Sequence, residues 1–183
     1  MAIEFTDILK DLTNGANMGG LAQRVYYGYW ADVATWPTKP TSPTTLVANA
    51  ALTGDLVMDT GKRLFEMYLT DDTGAFEIET VGDMDCRSFV LHLRLFHPGL
   101  KAKILGFISA AKNENLVFIV QDNDDQYYLM GDSVRPAVFA GSPDSAGTGN
   151  ATAERRGVSM EFTFKTANVH IYSGSIPLTA SST

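Results

Sequence analysis

Four stretches of the chain alternate apolar and polar side chains with a period of two, and this constrains the fold more than any other feature. "RLFEMYLT" (63–70) sets Phe65, Met67 and Leu69 against Leu64, Glu66, Tyr68 and Thr70. "AFEIETV" (75–81) sets Phe76 and Ile78 against Glu77 and Glu79. "RSFVLHLRLF" (87–96) sets Phe89, Leu91, Leu93 and Leu95 against Ser88, His92 and Arg94. "VSMEFTFK" (158–165) sets Val158, Met160, Phe162 and Phe164 against Ser159, Glu161, Thr163 and Lys165. Successive side chains of a strand point to opposite faces, so each stretch has one face for a core and one for water. That is the signature of antiparallel sheets wetted on one side.

The remaining segments fit around these strands. "LAQRVYYGYW" (21–30) and "DLVMD" (55–59) read as strands, and "LVFIVQD" (116–122), apolar on both faces, reads as a central one. "DDTG" (71–74) reads as a hairpin connector, and the acidic "DNDDQ" turns the central strand into "YYLMG" (127–131). Pro98 sits where a helix begins, and Leu100, Ile104, Leu105 and Ile108 then recur at helical spacing to about residue 112. Residues 1–12 carry Ile3, Ile8, Leu9 and Leu12 along one side of a short amphipathic helix. The expectation is one mainly β domain over residues 1–183. It is an antiparallel barrel or sandwich with one flanking helix at about 98–112, an N-terminal segment (1–20), a long loop or arm (31–54) and a mobile loop (140–153).

Chemistry is hard to place on this chain. His92, His97 and His170 form no His-x-x-x-His or His-Glu-x-x-His pair, and the lone Cys86 supplies neither a disulfide framework nor a cysteine zinc cage. A calcium loop begun at Asp122 would put Tyr127 where a glycine is needed and Ser133 where a glutamate is needed. There is no nucleophile elbow, Walker loop or dinucleotide fingerprint. The expectation is therefore no enzyme, no metal and no cofactor. The net charge is −7, and the longest basic cluster is Arg155-Arg156, which argues against tight nucleic-acid binding. No run of about 18 apolar residues is present, so no membrane helix is expected. The acidic N-terminus lacks the pattern of a secretory leader, and the single cysteine fits synthesis in a reducing cytoplasm.

Two features point to assembly. The polar strand faces are rich in charge, and two long low-charge loops carry exposed-looking apolar residues, among them Trp36, Leu46, Val47 and Leu52. A ring of subunits satisfies both, because strand edges pair with the next copy and loops pack on neighbours.

The order "LFHPG", "ILGF", "NLVFIVQDNDD", "YYLMGD", "RPAVFAGSPDSAGTGNATAERRGVSMEFTF" and "HIYSGSIPL" is similar to that of bacteriophage major tail tube proteins, of the kind found in phages and prophages of Bacteroidetes-like hosts. The resemblance covers about residues 20–178 and is strongest from residue 60. It implies a β-barrel or sandwich with one flanking helix, related to the hexameric ring proteins of contractile injection systems. Such rings stack, strands from the subunits close an inner barrel around a DNA channel, and a loop reaches the adjacent ring. The protein would then be part of the virion tail, assembled in the host cytoplasm, with itself and other tail proteins as partners and phage DNA passing without specific binding. On this chain the inner-barrel segments would be 63–70, 75–81, 87–96 and 158–165. Glu66, Glu77, Glu79, Arg94, Glu161 and Lys165 would line the lumen. The stacking arm would be 31–54, with Trp36, Pro37, Pro40, Leu46, Val47 and Leu52 as contacts, and removing 38–52 should leave a folded subunit. The chain departs from many tube proteins in lacking an obvious long β-hairpin arm. The alternatives are another virion ring component (tail terminator, head–tail connector or capsid decoration protein) and a small-ligand-binding β-barrel.

Overall fold

The segment that is apolar on both faces becomes the centre of the molecule. In the computed structural model, which describes residues 3–9, 18–141, 147–148 and 154–180, β7 (Leu116–Asp122) is buried from Leu116 through Gln121. It pairs antiparallel with β8 (Tyr127–Met130) across the acidic turn and with β1 (Leu21–Tyr29) on its other side. The turn is held by the Asp122 carboxylate, which accepts the backbone N–H groups of Asp124 and Gln126, both at 2.9 Å. β11 (Ile171–Tyr172) extends the sheet beyond β8, and β4 (Phe65–Tyr68) extends it beyond β1.

Three of the four alternating segments build the second sheet. β5 (Ala75–Val81), β6 (Ser88–Pro98), β10 (Gly157–Thr166) and β9 (Val138–Gly141) lie side by side in the order β5-β6-β10-β9, all antiparallel. Leu91, Leu93, Leu95, Met160, Phe162 and Phe164 point from it into a core shared with Val25, Met67, Phe118, Val120 and Met130 of the first sheet. The rings of Phe118 and Phe162 meet there at 4.5 Å. A helix, α2 (Ala102–Ala111), closes one side of this core with Ile104 and Ala111, and its Phe107 ring lies edge-on to Tyr27 at 4.9 Å. The result is a two-sheet sandwich; the sheets do not join into a closed barrel.

The far face of the first sheet carries a second core. Tyr26, Leu64, Val117, Ile119, Leu129 and Tyr172 are covered by Leu52, Leu56 and Met58, with Val33 and Trp36 packed at the margin. The covering layer is the stretch containing β2 (Val33–Thr35), α1 (Leu46–Ala50) and β3 (Val57–Met58). This explains why β7 is apolar on both faces.

Several expectations are corrected. Residues 71–74 connect the two sheets and close no hairpin: β4 pairs with β1, β5 pairs with β6, and Thr73 Oγ donates to the Thr70 carbonyl at the crossing. Pro98 ends β6 opposite Gly157, Gly99 turns the chain with φ 83°, and α2 starts only at Ala102. Residues 3–9 are not helical; the Glu4 N–H donates to the Thr44 carbonyl at 2.9 Å in a parallel bridge to Thr45. A lone helix of about 12 residues is marginal in water without a packed face, and Phe5, Ile8 and Leu9 are 81–86% exposed. The 31–54 segment is no free arm, because it lies on its own subunit's sheet. Most of the 140–153 loop lies outside the described residues.

Candidate functional site

The outer face of β5-β6-β10 carries an ordered array of charged side chains. Strand parity fixes its membership. Phe76, Ile78, Leu91, Leu93, Met160 and Phe162 take inward positions, so Glu77, Glu79, His92, Arg94, Glu161, Thr163 and Lys165 take outward ones. In register, Glu77 is opposite His92 and Arg94 is opposite Glu161. The charges are interleaved across three strands. His92 Nδ1 is 2.8 Å from Glu161 Oε1, and its Nε2 is 3.0 Å from Glu79 Oε2. The Arg94 guanidinium donates to Glu77 Oε1 at 2.9 Å and lies 3.5 Å from Glu161 Oε2.

An imidazole between two carboxylates can satisfy both only by donating from both nitrogens, that is, as the cation. The pKa of His92 is accordingly raised: partial burial disfavours the charge, but hydrogen bonds and charge from Glu161 and Glu79 outweigh it. Three carboxylates face two permanent cations, so these residues together carry one negative charge with His92 neutral and none with it protonated. The chain's excess acidity is therefore not concentrated here.

Of the expected lumen residues, Glu77, Glu79, Arg94, Glu161 and Lys165 share this face. Glu66 does not. It sits on β4 in the other sheet, opposite Tyr26, and residues 63–70 leave the inner-sheet set with it. The alternation of 63–70 gave strand and faces but not the partner, which a period of two cannot specify. His92 was legible only as an outward histidine; its bridging role depends on cross-strand register.

The expected contact residues divide in two. Trp36 and Leu52 pack into the second core and Pro37 is buried, so these three serve their own subunit. Val47 is 80% exposed on α1, while Pro40 and Leu46 are half-buried. The segment is further pinned by buried Asp132. Its carboxylate pairs with Lys39 at 2.5 Å and accepts the backbone N–H groups of Val134 and Arg135, while its carbonyl accepts from Trp30 Nε1 at 2.6 Å. Burial pushes the Asp132 carboxyl up, yet Lys39 and the two amides hold it below its ordinary value. Nearby His170 is lowered by burial and by Lys39, against the pull of Asp132.

Among the described residues, no group of three or more His, Cys, Asp and Glu converges as a metal site, and no helix is long and apolar enough to cross a membrane. Comparison of the chain with family models, curated proteins and solved structures finds no match.

Proposed function

We propose that this chain is a structural subunit that self-assembles into stacked rings, as the resemblance to phage tail tube proteins implies, with the outer face of β5-β6-β10-β9 turned to the channel. The observation that carries this reading is the build of that sheet. It has an apolar face packed on the core, a charged face in solvent, and two strands, β5 and β9, each paired on one side only among the described residues. Ile78 on β5 and Val138 on β9 remain 49% and 42% exposed. Open edges of this kind invite pairing with another chain, and joining β5 of one copy to β9 of the next would remove both edges and continue the sheet around a ring.

A face that is nearly neutral, with Arg94 and His92 engaged by Glu77, Glu79 and Glu161, offers DNA no cationic track. Phosphates would pass without capture, because a near-neutral face neutralises few of them and so displaces few of the counterions condensed on the DNA. Stacking falls to surfaces other than Trp36, Pro37 and Leu52, and the exposed Val47 on α1 remains available. The small-ligand carrier has less support, since Phe118 and Phe162 fill the space between the sheets where such a carrier would keep its cavity. Negative-stain microscopy of the purified full chain tests the proposal: rings or tubes are expected, and a monomer under every condition would refute it.

A further inference from the structure

A second surface combines a short open strand edge with an apolar cleft. β4 is the outer strand of the five-stranded sheet. Leu69 N–H donates to the Gln23 carbonyl, so in the antiparallel ladder Phe65 and Met67 bond toward β1, and the backbone groups of Glu66 and Tyr68 turn to the open edge. The Tyr68 carbonyl is taken by His97 Nδ1 at 2.9 Å, the Leu64 N–H donates to the Pro177 carbonyl and the Thr70 N–H to the Phe96 carbonyl, so the edge is open at Glu66, between these two contacts. Beside it lies a cleft of about 630 Å³ between β4, the end of β1 and α2. Tyr27, Phe65 and Phe107 supply an apolar floor and Arg63 and Lys103 supply positive charge, while the Glu66 side chain alternates to the other face beside Tyr26. The Arg63 guanidinium lies over the Phe65 ring at 4.7 Å.

The same chain carries a segment with the matching chemistry. Residues 5–9 are exposed and belong to no helix or strand, with Phe5, Ile8 and Leu9 almost fully in solvent. In an extended strand Phe5, Asp7 and Leu9 share one face, so an acid sits between two apolar side chains. A cleft with an aromatic floor and two bases, Arg63 and Lys103, is complementary to a face with one acid between two apolar side chains. The segment is tied at Glu4 to Thr44, in the layer over the second core, whereas the cleft opens on the α2 side.

We propose that the Phe5–Leu9 segment of a second copy of this chain adds to the β4 edge, placing Phe5 and Leu9 in the cleft and Asp7 against Arg63 and Lys103. Backbone pairing at Glu66 supplies affinity, and the alternate side chains supply register. This rests on the ring-forming reading only in taking the partner to be another copy.

Site-directed cross-linking tests it. Leu9→Cys and Lys103→Cys are placed on separately tagged full-length chains carrying Cys86→Ser, then mixed and oxidised with copper–phenanthroline. A heterodimer is expected from this pair and not from Leu9→Cys with Ser109→Cys, since Ser109 lies on α2 outside the cleft lining. Asp7→Lys and Lys103→Asp should each weaken self-association about tenfold, and their combination should restore it. The dye 8-anilinonaphthalene-1-sulfonate should bind the Phe5→Asp/Leu9→Asp variant and be excluded from assembled wild type. Equal cross-linking to Ser109→Cys, no heterodimer from the Leu9→Cys and Lys103→Cys pair, or dye bound to assembled wild type would each overturn the proposal. Rings without the cross-link would remove the docking and leave the ring reading standing. Cross-linked pairs that never form rings would do the reverse.

Discussion

His92 ties three strands together through two carboxylates, and its charge state sets how firmly. Its folded pKa is raised above 6.5, the ordinary value. Its contribution to stability is therefore complete below about pH 6.5 and fades as the pH climbs through the raised folded value. The expected outcome for His92→Gln is a lower Tm than wild type at pH 5.5, with the gap closing by pH 9, as read by thermal unfolding across that range. A gap independent of pH would mean that the imidazole acts by packing alone. In the core, Phe162 touches Phe118, Phe107 and Phe139 and is fully buried. Phe162→Ala should cost about 3–5 kcal/mol, measured by denaturant unfolding with an unchanged m-value. Gly157 admits no side chain at all, because an added Cβ would lie 2.5 Å from the His97 carbonyl oxygen.

At the scale of elements, the 31–54 segment changes role most. The sequence reads it as a partner arm because it is proline-rich and low in charge, and composition cannot show whether such a segment covers its own sheet or a neighbour's. The two apolar faces of β7 were the available signal: a strand buried on both sides requires a second covering layer, and Trp36, Leu52, Leu56 and Met58 provide it. Removing 38–52 should therefore destabilise the subunit, not merely stop its growth. Leu52→Ala alone should cost about 2–5 kcal/mol. Asp132→Ala should cost about 1–3 kcal/mol, because it leaves the Val134 and Arg135 amides without their acceptor, while half-exposed Lys39 returns to water. Chemical denaturation of each variant checks both figures. The alternating strands were legible for a simple reason, since a period of two states which residues face the core. Pairing partners were not, which is why Glu66 was placed with the wrong sheet and 71–74 was read as a hairpin. The start of α2 was missed because Pro98 is as acceptable at a strand end as in a first helical turn.

For the whole molecule, the account joins two sheets with different duties. The five-stranded sheet is covered on both faces and gives the subunit its rigidity. The four-stranded sheet packs one face on the core and offers the charged surface and open edges on which the proposed ring assembly rests. Glu77→Lys with Glu79→Lys would place cations beside Arg94 and His92 and reverse the character of the proposed channel. Assembly should persist while DNA release slows, as followed by the kinetics of genome ejection from virions carrying the variant; unchanged release would place these residues elsewhere. The most direct measurement is negative-stain electron microscopy of the purified full-length protein over a wide concentration range. The account predicts rings that stack into tubes with a central channel, and a particle that stays monomeric at every concentration would contradict it.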